Sequence, residues 1–180
     1  MKKNILFLYS ELAAYFLACV DQLQKSYDCR IMVVHWPRHK DAPFDYPHFE
    51  NVEYIIKNSQ SIPQLKIEID NFNPNLIFVT GWIDLDYLKI IYTLKRISPV
   101  KVVMGLDNPW EGTLKQKLGI IILPMLLKRI CDFIWVPGYN QFLYAKKLGF
   151  KDSNILLGLY SADVFSFHKV ELNKKPEGTV

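Results

Sequence analysis

Hydrophobic residues in this chain form short continuous runs that alternate with stretches in which apolar side chains recur every three or four positions. Continuous runs are typical of strands buried on both faces of a parallel sheet, and the three-to-four spacing is typical of amphipathic helices. The alternation predicts an α/β fold: a single Rossmann-like, doubly wound, mainly parallel sheet with helices on both faces. The predicted strands cover residues 4–9, 29–35, 52–56, 76–80, 101–106, 133–136 and 155–159.

Residue types at the ends of the periodic stretches predict where helices begin. Ser61 and Pro63 indicate the start of a helix over residues 62–72, because serine caps helix N-termini and proline fits the first turn. We expect the first helix to begin at Ser10 and Glu11, where the carboxylate would complement the helix dipole. Further helices are predicted over residues 83–97 and 142–148.

The composition indicates a compact globular protein. Half of the 180 residues are hydrophobic and 22% are charged, which is unlike the composition of a disordered chain. Residues 1–168 are predicted to form one domain, and residues 169–180, which lack apolar periodicity, a tail or linker. The three cysteines show no Cys-x-x-Cys spacing, so neither a disulfide framework nor a zinc site is indicated, and a cytoplasmic location is expected.

The positive charge is concentrated in one part of the chain. The formal net charge is +4, but residues 91–151 alone carry 10 basic and 3 acidic side chains. This asymmetry indicates an anionic partner for that segment. No basic run with interleaved aromatic residues accompanies it, so nucleic acid is not expected, and a membrane surface or a phosphate-bearing acceptor fits better.

Two histidines near the second strand have a spacing that occurs in metal sites. His35 and His39 are four residues apart, which would place both on one face of a helix. Pro37 lies between them and interrupts such a helix. We therefore interpret both as solvated loop histidines and predict no metal site.

Glu11 decides two questions about the amino-terminal segment. Two lysines, an apolar stretch and Cys19 resemble a lipoprotein signal, but a carboxylate inside that stretch is costly to transfer into a membrane. We therefore expect the segment to be retained.

The loop after the first strand lacks glycine, and the Glu11 carboxylate in it would repel a phosphate. No pyrophosphate cradle and no bound cofactor are therefore predicted for this domain.

Polar residues follow the fifth predicted strand at the point where it ends. Ligands of open α/β sheets bind outside the carboxyl ends of the strands, and Asp107, Asn108 and Trp110 supply a carboxylate, an amide and a stacking indole at such an end. Asp107 either acts on a substrate hydroxyl or caps the following turn.

Trp82 follows the fourth predicted strand. It either stacks on a sugar or covers the core.

Residues 111–130 allow two interpretations. The apolar block at residues 118–127 is too short to span a bilayer and contains Pro124. One interpretation is a helix that lies in a membrane interface, with basic residues on anionic headgroups. The other is a kinked core helix that covers the sheet. The predicted membrane-interface residues are Lys115, Lys117, Lys128 and Arg129.

The carboxyl-terminal third of the pattern resembles a known family. Cys131-Asp132 precedes an apolar strand, Val-Pro-Gly, a helix ending in Lys-Lys-Leu-Gly-Phe, and the sequence ILLGLYSADVF at residues 155–165. This order resembles the end of the N-terminal domain of GT-B fold, family 4 type glycosyltransferases. In that family a second Rossmann-like domain follows and binds the nucleotide-sugar donor.

The resemblance implies the acceptor-binding half of a hexosyltransferase. Such an enzyme moves a sugar from a nucleotide-sugar donor to a saccharide or lipid-linked acceptor in cell-surface polysaccharide or glycan synthesis, peripherally on the inner face of the membrane. Asp107 takes the position where family members commonly carry His or His-Asp, although Leu106 precedes it here. Asp107 would orient or deprotonate the acceptor hydroxyl. The residues expected to bind the acceptor are Ser10, Trp82, Asn108, Trp110, Tyr139, Asn140 and Tyr160.

Because the donor-binding domain is missing, we expect this chain alone to be inactive. Two other interpretations stay open. The chain could be a non-catalytic, membrane-recruiting subunit of a split two-subunit transferase, or an unrelated small-ligand module of flavodoxin-like type, since fold alone does not fix function.

Overall fold

The structure is a computed structural model that describes residues 2–37 and 46–161. These residues form seven strands: β1 (Lys3–Tyr9), β2 (Cys29–His35), β3 (Val52–Ile56), β4 (Leu76–Val79), β5 (Lys101–Gly105), β6 (Phe133–Val136) and β7 (Ile155–Leu157). Five α-helices connect them: α1 (Ala14–Ser26), α2 (Ile62–Phe72), α3 (Leu85–Ile97), α4 (Leu114–Ile130) and α5 (Tyr139–Lys147). Short 3₁₀ helices cover Lys57–Ser59 and Asp152–Asn154. The predicted tail and His39 lie outside the described residues.

All seven strands belong to one parallel sheet in the order β3-β2-β1-β4-β5-β6-β7. The chain runs outward from β1 to β3, returns to place β4 against the other side of β1, and then continues to β7. Parallel pairing brings every carboxyl end to the same edge of the sheet, and the reversal of order between β1 and β4 is the topological switch point. The predicted Rossmann-like, doubly wound fold is confirmed.

Helices cover both faces of the sheet, as predicted. On one face, Leu6 of β1 and Met104 of β5 belong to the core formed with buried residues of α2, α3, α4 and α5. On the other face, Phe16 and Val20 of α1 pack in a second core with Ile31 of β2. The alternation of side chains along each strand, which sends neighbours to opposite faces, divides the core in this way.

Helix α1 begins later than predicted. Its first residue is Ala14, and Ala13 provides no side-chain cap. The backbone before it is held by tertiary contacts, because the Ser10 carbonyl accepts the Trp36 N–H at 2.9 Å and Leu12 is buried against the core. Glu11 is therefore exposed outside the helix, and its predicted contact with the helix dipole is wrong.

His35 is buried, so its prediction as a solvated loop histidine is wrong. It is the last residue of β2 and is 1% exposed. Its Nδ1 lies 2.7 Å from the Trp36 carbonyl oxygen, and the Tyr46 ring packs edge-on against it at 5.0 Å. The pattern of β2 continues through this position, and burial of the strand includes its final side chain.

Asp84 connects three elements at the start of α3. Its carboxylate accepts the backbone N–H groups of Asp86 and Tyr87, which caps the helix. The same carboxylate accepts hydrogen bonds from Trp36 Nε1 at 2.7 Å and from Lys57 Nζ at 2.7 Å. Burial alone would raise the pKa of this carboxyl, but these donors outweigh it and lower the pKa below its usual value.

Tyr87 joins α3 to the ends of β1 and β2. Its side chain is 1% exposed, and its hydroxyl lies 3.1 Å from the Tyr9 carbonyl and 3.2 Å from the Val34 carbonyl, to which it donates.

We expect Tyr87→Phe to lower the free energy of unfolding by about 1–2 kcal/mol, because buried acceptors lose their donor. Urea unfolding measures the change. The matched control is Tyr92→Phe on the exposed side of the same helix, and equal stability of both variants would contradict this role.

Asp132 links β5, β6 and α3. Its carboxylate accepts the Val102 N–H at 2.8 Å and pairs with Lys95 Nζ at 2.6 Å. Burial by itself would raise the pKa of this carboxyl, but Lys95 and the Val102 N–H lower it below its usual value.

We expect Asp132→Asn to destabilise the fold by about 2 kcal/mol at neutral pH, because charged hydrogen bonds are lost. A lowered pKa in the folded state stabilises the fold above the unfolded pKa of about 4, and this contribution disappears as the pH falls. The loss of folding stability caused by Asp132→Asn should therefore be smaller at acid pH than at neutral pH. Asp152→Asn, at an exposed ion pair with Lys146, is the control. A deficit of the Asp132 variant that is equal at neutral and acid pH would refute the assignment.

Candidate functional site

A cleft of about 570 Å³ opens at the carboxyl ends of β4 and β5, one strand away from the switch point. We call it the Asp107 cleft. Its walls are residues 80–83, residues 105–109, Glu111, one side of α4 and the ring of Tyr144. Clefts of this size, with mostly apolar walls and a few polar groups, are typical of small-molecule sites.

Two glycines shape the inner wall of the cleft. Gly81 has a φ of 91°, a left-handed conformation that turns the chain sharply after β4. At Gly105, a Cβ atom would lie 3.1 Å from the Phe78 ring, so the ring would have to shift by a few tenths of an ångström to admit a larger residue. Glycine therefore fits the sharp turn after β4 at one position and the close contact with Phe78 at the other.

Asp107 lies at the mouth of the cleft, two residues after β5, and its side chain is exposed. Its carboxylate accepts the Tyr160 hydroxyl at 3.1 Å, and its backbone carbonyl accepts Gln141 Nε2 at 2.9 Å. Within the described residues, the carboxylate accepts no backbone N–H of the following turn, which the capping alternative would require. The chain thus brings Asp107, the start of α5 and the segment after β7 to one point.

Tyr160 is the donor that holds the Asp107 carboxylate. Burial raises the pKa of its phenol, and the neighbouring Asp107 charge raises it further. The hydroxyl therefore stays protonated and remains a donor at physiological pH. The Tyr15 ring of α1 contacts the Tyr160 ring edge-on at 5.5 Å, which connects this pair to the other face of the sheet.

The loop between β5 and α4 is fixed by Gln116. Its side-chain Nε2 donates to the Pro109 carbonyl at 2.8 Å, and its Oε1 accepts the Glu111 N–H at 2.8 Å. Thr113 caps α4 by accepting the Gln116 N–H. The loop that carries Asp107 and Asn108 is therefore anchored at its far end, so the position of the carboxylate is set from both sides.

The structure brings together only some of the predicted acceptor-binding residues. Asp107, Asn108 and Trp82 line the cleft, and Tyr160 joins it through its hydrogen bond to Asp107. The others do not line the cleft: Ser10, Trp110, Tyr139 and Asn140.

Trp110 packs beside the cleft instead of into it. Its half-buried ring contacts the Tyr144 ring at 5.3 Å and lies beneath Lys147 Nζ at 5.0 Å. Tyr139 is exposed and stacks on Phe142 at 6.0 Å. Ser10 is half-buried, and its carbonyl accepts a hydrogen bond from the Trp36 N–H. Trp82 packs against the core, which is one of its two predicted alternatives, and it also lines the cleft. Stacking on a sugar stays a prediction.

Three residues of the site were missed by sequence reasoning. Gln141 and Gln116 position the loop through hydrogen bonds, and Tyr144 forms part of the wall. The spacing Thr113-x-x-Gln116 is a helix-start signal, so the anchor at α4 could have been found from sequence. The roles of Gln141 and Tyr144 depend on how α5 packs against β6 and β7, which local patterns do not reveal.

The charged groups of the cleft have both signs. Asp107 and Glu111 supply negative charge, and Lys115 on α4 supplies positive charge. In residues 2–37 and 46–161, no group of three or more His, Cys, Asp or Glu side chains is arranged to hold a metal ion. The arrangement can hold a polyhydroxyl ligand, with the exposed carboxylate available to accept a proton or a hydrogen bond.

Helix α4 carries the four residues predicted to contact a membrane. Lys115, Lys117, Lys128 and Arg129 are all exposed. Few of its apolar residues are buried in the core: of the residues of α4, only Leu127 and Ile130 are fully buried. Among the described residues, none of the helices has the length and hydropathy that crossing a bilayer requires.

Comparisons with known proteins identify the fold. No protein-family model matches the chain, and no curated protein matches it in sequence. The structure is similar to a UDP-N-acetylglucosamine 2-epimerase, with a TM-score of 0.56 and 14% identity over 87% of this chain and 48% of the epimerase chain. At this identity the similarity shows a shared fold.

Two further structures match less well. An α-glucosyltransferase in complex with UDP-glucose and DNA containing an abasic site has a TM-score of 0.49 and 13% identity, over 87% of this chain and 42% of its own. The dTDP-glucose 4,6-dehydratase of Bacillus anthracis strain Ames has a TM-score of 0.46 and 12% identity, over 76% and 55%. The chain thus spans about half the length of the epimerase. The Rossmann-like α/β fold is shared with the epimerase, and the resemblance to family 4 stays a prediction.

Proposed function

We propose that this chain is the acceptor-binding domain of a glycosyltransferase that uses a nucleotide-sugar donor. The observation that carries the proposal is the exposed Asp107 carboxylate, held by Tyr160 at the mouth of a cleft on the carboxyl edge of a parallel sheet. The epimerase that shares the fold is named for a nucleotide sugar, UDP-N-acetylglucosamine, which supports this class of donor.

In the proposed reaction, an acceptor hydroxyl lies in the Asp107 cleft. Its oxygen bonds to the anomeric carbon of the donor while the bond from that carbon to the nucleotide phosphate breaks, and the electron pair leaves with the phosphate. Asp107 orients the hydroxyl or takes its proton, for which a separation of about 2.6–3.2 Å is needed. Asn108 and Trp82 contact the sugar rings, by hydrogen bonding and by apolar packing.

The donor is proposed to bind elsewhere. The loop after β1 has no glycine and carries the exposed Glu11, which disfavours a phosphate there. We propose that a second, donor-binding domain faces the Asp107 cleft and that no cofactor is bound by residues 2–37 and 46–161. Transfer then requires both parts, and this chain alone is inactive.

Asp107→Asn tests the central role of the carboxylate. In the enzyme that contains this chain together with its donor-binding part, we expect kcat to fall by about 10²–10⁴-fold, because a positioned proton acceptor contributes about that much. Acceptor-dependent release of UDP from a panel of UDP-sugars measures the rate. Asn preserves an acceptor for the Tyr160 hydroxyl, so the fold is retained.

The control for that experiment is Asp152→Asn, which lies before β7 at the opposite edge of the sheet. It should leave the rate unchanged. Full activity of the Asp107 variant, with thermal unfolding equal to that of the unchanged protein, would remove Asp107 from the mechanism.

Tyr160→Phe tests whether Tyr160 acts through Asp107. We expect a loss of about 10-fold or more in kcat, since hydrogen bonds to charged groups contribute about 1.5–3 kcal/mol. The double variant with Asp107→Asn should lose no more than Asp107→Asn alone, because the two residues act as one unit. Tyr92→Phe is the control for removal of an exposed hydroxyl. Independent, multiplicative losses in the double variant would contradict positioning of Asp107 by Tyr160.

A further inference from the structure

Helix α4 exposes a continuous apolar stripe to solvent. Leu114, Leu118, Ile121, Ile122 and Met125 are each between 60% and 78% exposed. Their spacing of four, three, one and three residues places them on one side of a helix. Large apolar side chains that are grouped in this way, rather than scattered, indicate an interaction surface.

Exposed basic residues flank this stripe at both ends. Lys115 and Lys117 lie in the first turn of α4, and Lys128 and Arg129 lie in its last turn. No acidic residue occurs between Gly112 and Cys131. None of the four basic side chains forms an ion pair with another described residue. We call these basic residues and the five apolar ones the α4 surface.

The chemistry of the α4 surface favours a lipid occupant over a protein one. An apolar stripe with cations at its edges matches the hydrocarbon and the anionic headgroups of a membrane interface. The absence of acidic side chains from the helix means that nothing on α4 opposes negative headgroups. Each cation near such a surface contributes about 1 kcal/mol, which corresponds to about fivefold in binding.

We propose that α4 lies in the interface of a membrane containing anionic lipid, with its axis along the membrane plane. Leu118 and Ile122 of the α4 surface also line the Asp107 cleft, together with Lys115. The cleft therefore opens beside the bound membrane. If the proposed transferase function holds, on which this step rests, the acceptor is a saccharide carried on a membrane lipid.

The test is co-sedimentation of the chain with lipid vesicles. One set is phosphatidylcholine alone, and the other also contains phosphatidylglycerol. We expect binding to the anionic vesicles at least about tenfold stronger, with the difference reduced by salt, because the Debye length falls to about 3 Å at 1 M. Equal and negligible pelleting in both sets would overturn the proposal.

Two variant pairs locate the contact. Ile121→Ser with Met125→Ser should reduce binding to anionic vesicles by at least about tenfold, since two deeply exposed apolar groups no longer enter the interface. Ile67→Ser with Ile97→Ser changes two exposed isoleucines on α2 and α3 and is the matched control, expected to bind as the unchanged chain does. Equal binding by both pairs would exclude α4 as the contact.

A second copy of the chain is the alternative occupant of the α4 surface. Analytical ultracentrifugation tests this alternative. If the chain forms a dimer that is lost in the Ile121→Ser, Met125→Ser variant, the α4 surface is a self-association interface and the membrane proposal is overturned. We expect a sedimentation coefficient that does not change with concentration or with these substitutions.

The membrane proposal and the transferase proposal can fail separately. Asp107→Asn should bind anionic vesicles as the unchanged chain does, because Asp107 is not part of the α4 surface. Asp107-dependent transfer to a soluble saccharide without vesicle binding would overturn the membrane proposal alone. Vesicle binding through α4, together with a transfer rate that Asp107→Asn does not change, would overturn the transferase proposal alone.

Discussion

Parallel hydrogen bonding in one sheet is the constraint on which the rest of this structure depends. Because β1, β4, β5, β6 and β7 all run in the same direction, the segments that leave their carboxyl ends meet at a single edge. Asp107 leaves β5, Gln141 lies in the helix after β6, and Tyr160 follows β7. Although these residues are far apart in sequence, two hydrogen bonds join them. The candidate site is thus a consequence of strand direction.

The same constraint explains how a polar site coexists with an apolar core. The central strands β2 and β4 are largely buried, so their side chains offer few polar groups, and the polar residues of the candidate site lie in the loops. The loop after β5 is anchored by Gln116 at one end and by the Asp107 contacts at the other. Asp84 fixes the start of α3 next to the same edge. Helix α4 then extends from the anchored loop and carries its apolar stripe away from the core.

Sequence patterns predicted most of the fold because burial on both faces leaves a strong local signal. The bounds of β2, β3, β6 and α2 agree with those predicted, since each run ends at a clear breaker or cap. The start of α1 was wrong because Ser10 and Leu12 are held by tertiary contacts that override local preference. The prediction for His35 was wrong although the strand was predicted to end there, because the side chain is buried by tertiary contacts, such as that with the Tyr46 ring, that local patterns do not reveal.

The site was predictable only in part. That Asp107, Asn108 and Trp82 would line one edge followed from their positions after β4 and β5, and the structure places them in one cleft. Which way Trp110, Tyr139 and Asn140 would face depends on the rotation of α5 and on packing against Tyr144, and no local pattern encodes that. The Asp107–Tyr160 contact joins residues that are 53 positions apart, so it required the strand order.

The most direct test is a crystal structure of the proposed transferase, this chain together with its donor-binding part, with a UDP-sugar bound. If Asp107 acts on the acceptor hydroxyl, one oxygen has to fit between the carboxylate and the anomeric carbon. With a hydrogen bond of about 2.6–3.2 Å and an approach of about 3–3.5 Å, the carboxylate should lie within about 7 Å of that carbon. An anomeric carbon bound at the other edge of the sheet, or separated from Asp107 by protein, would contradict this account.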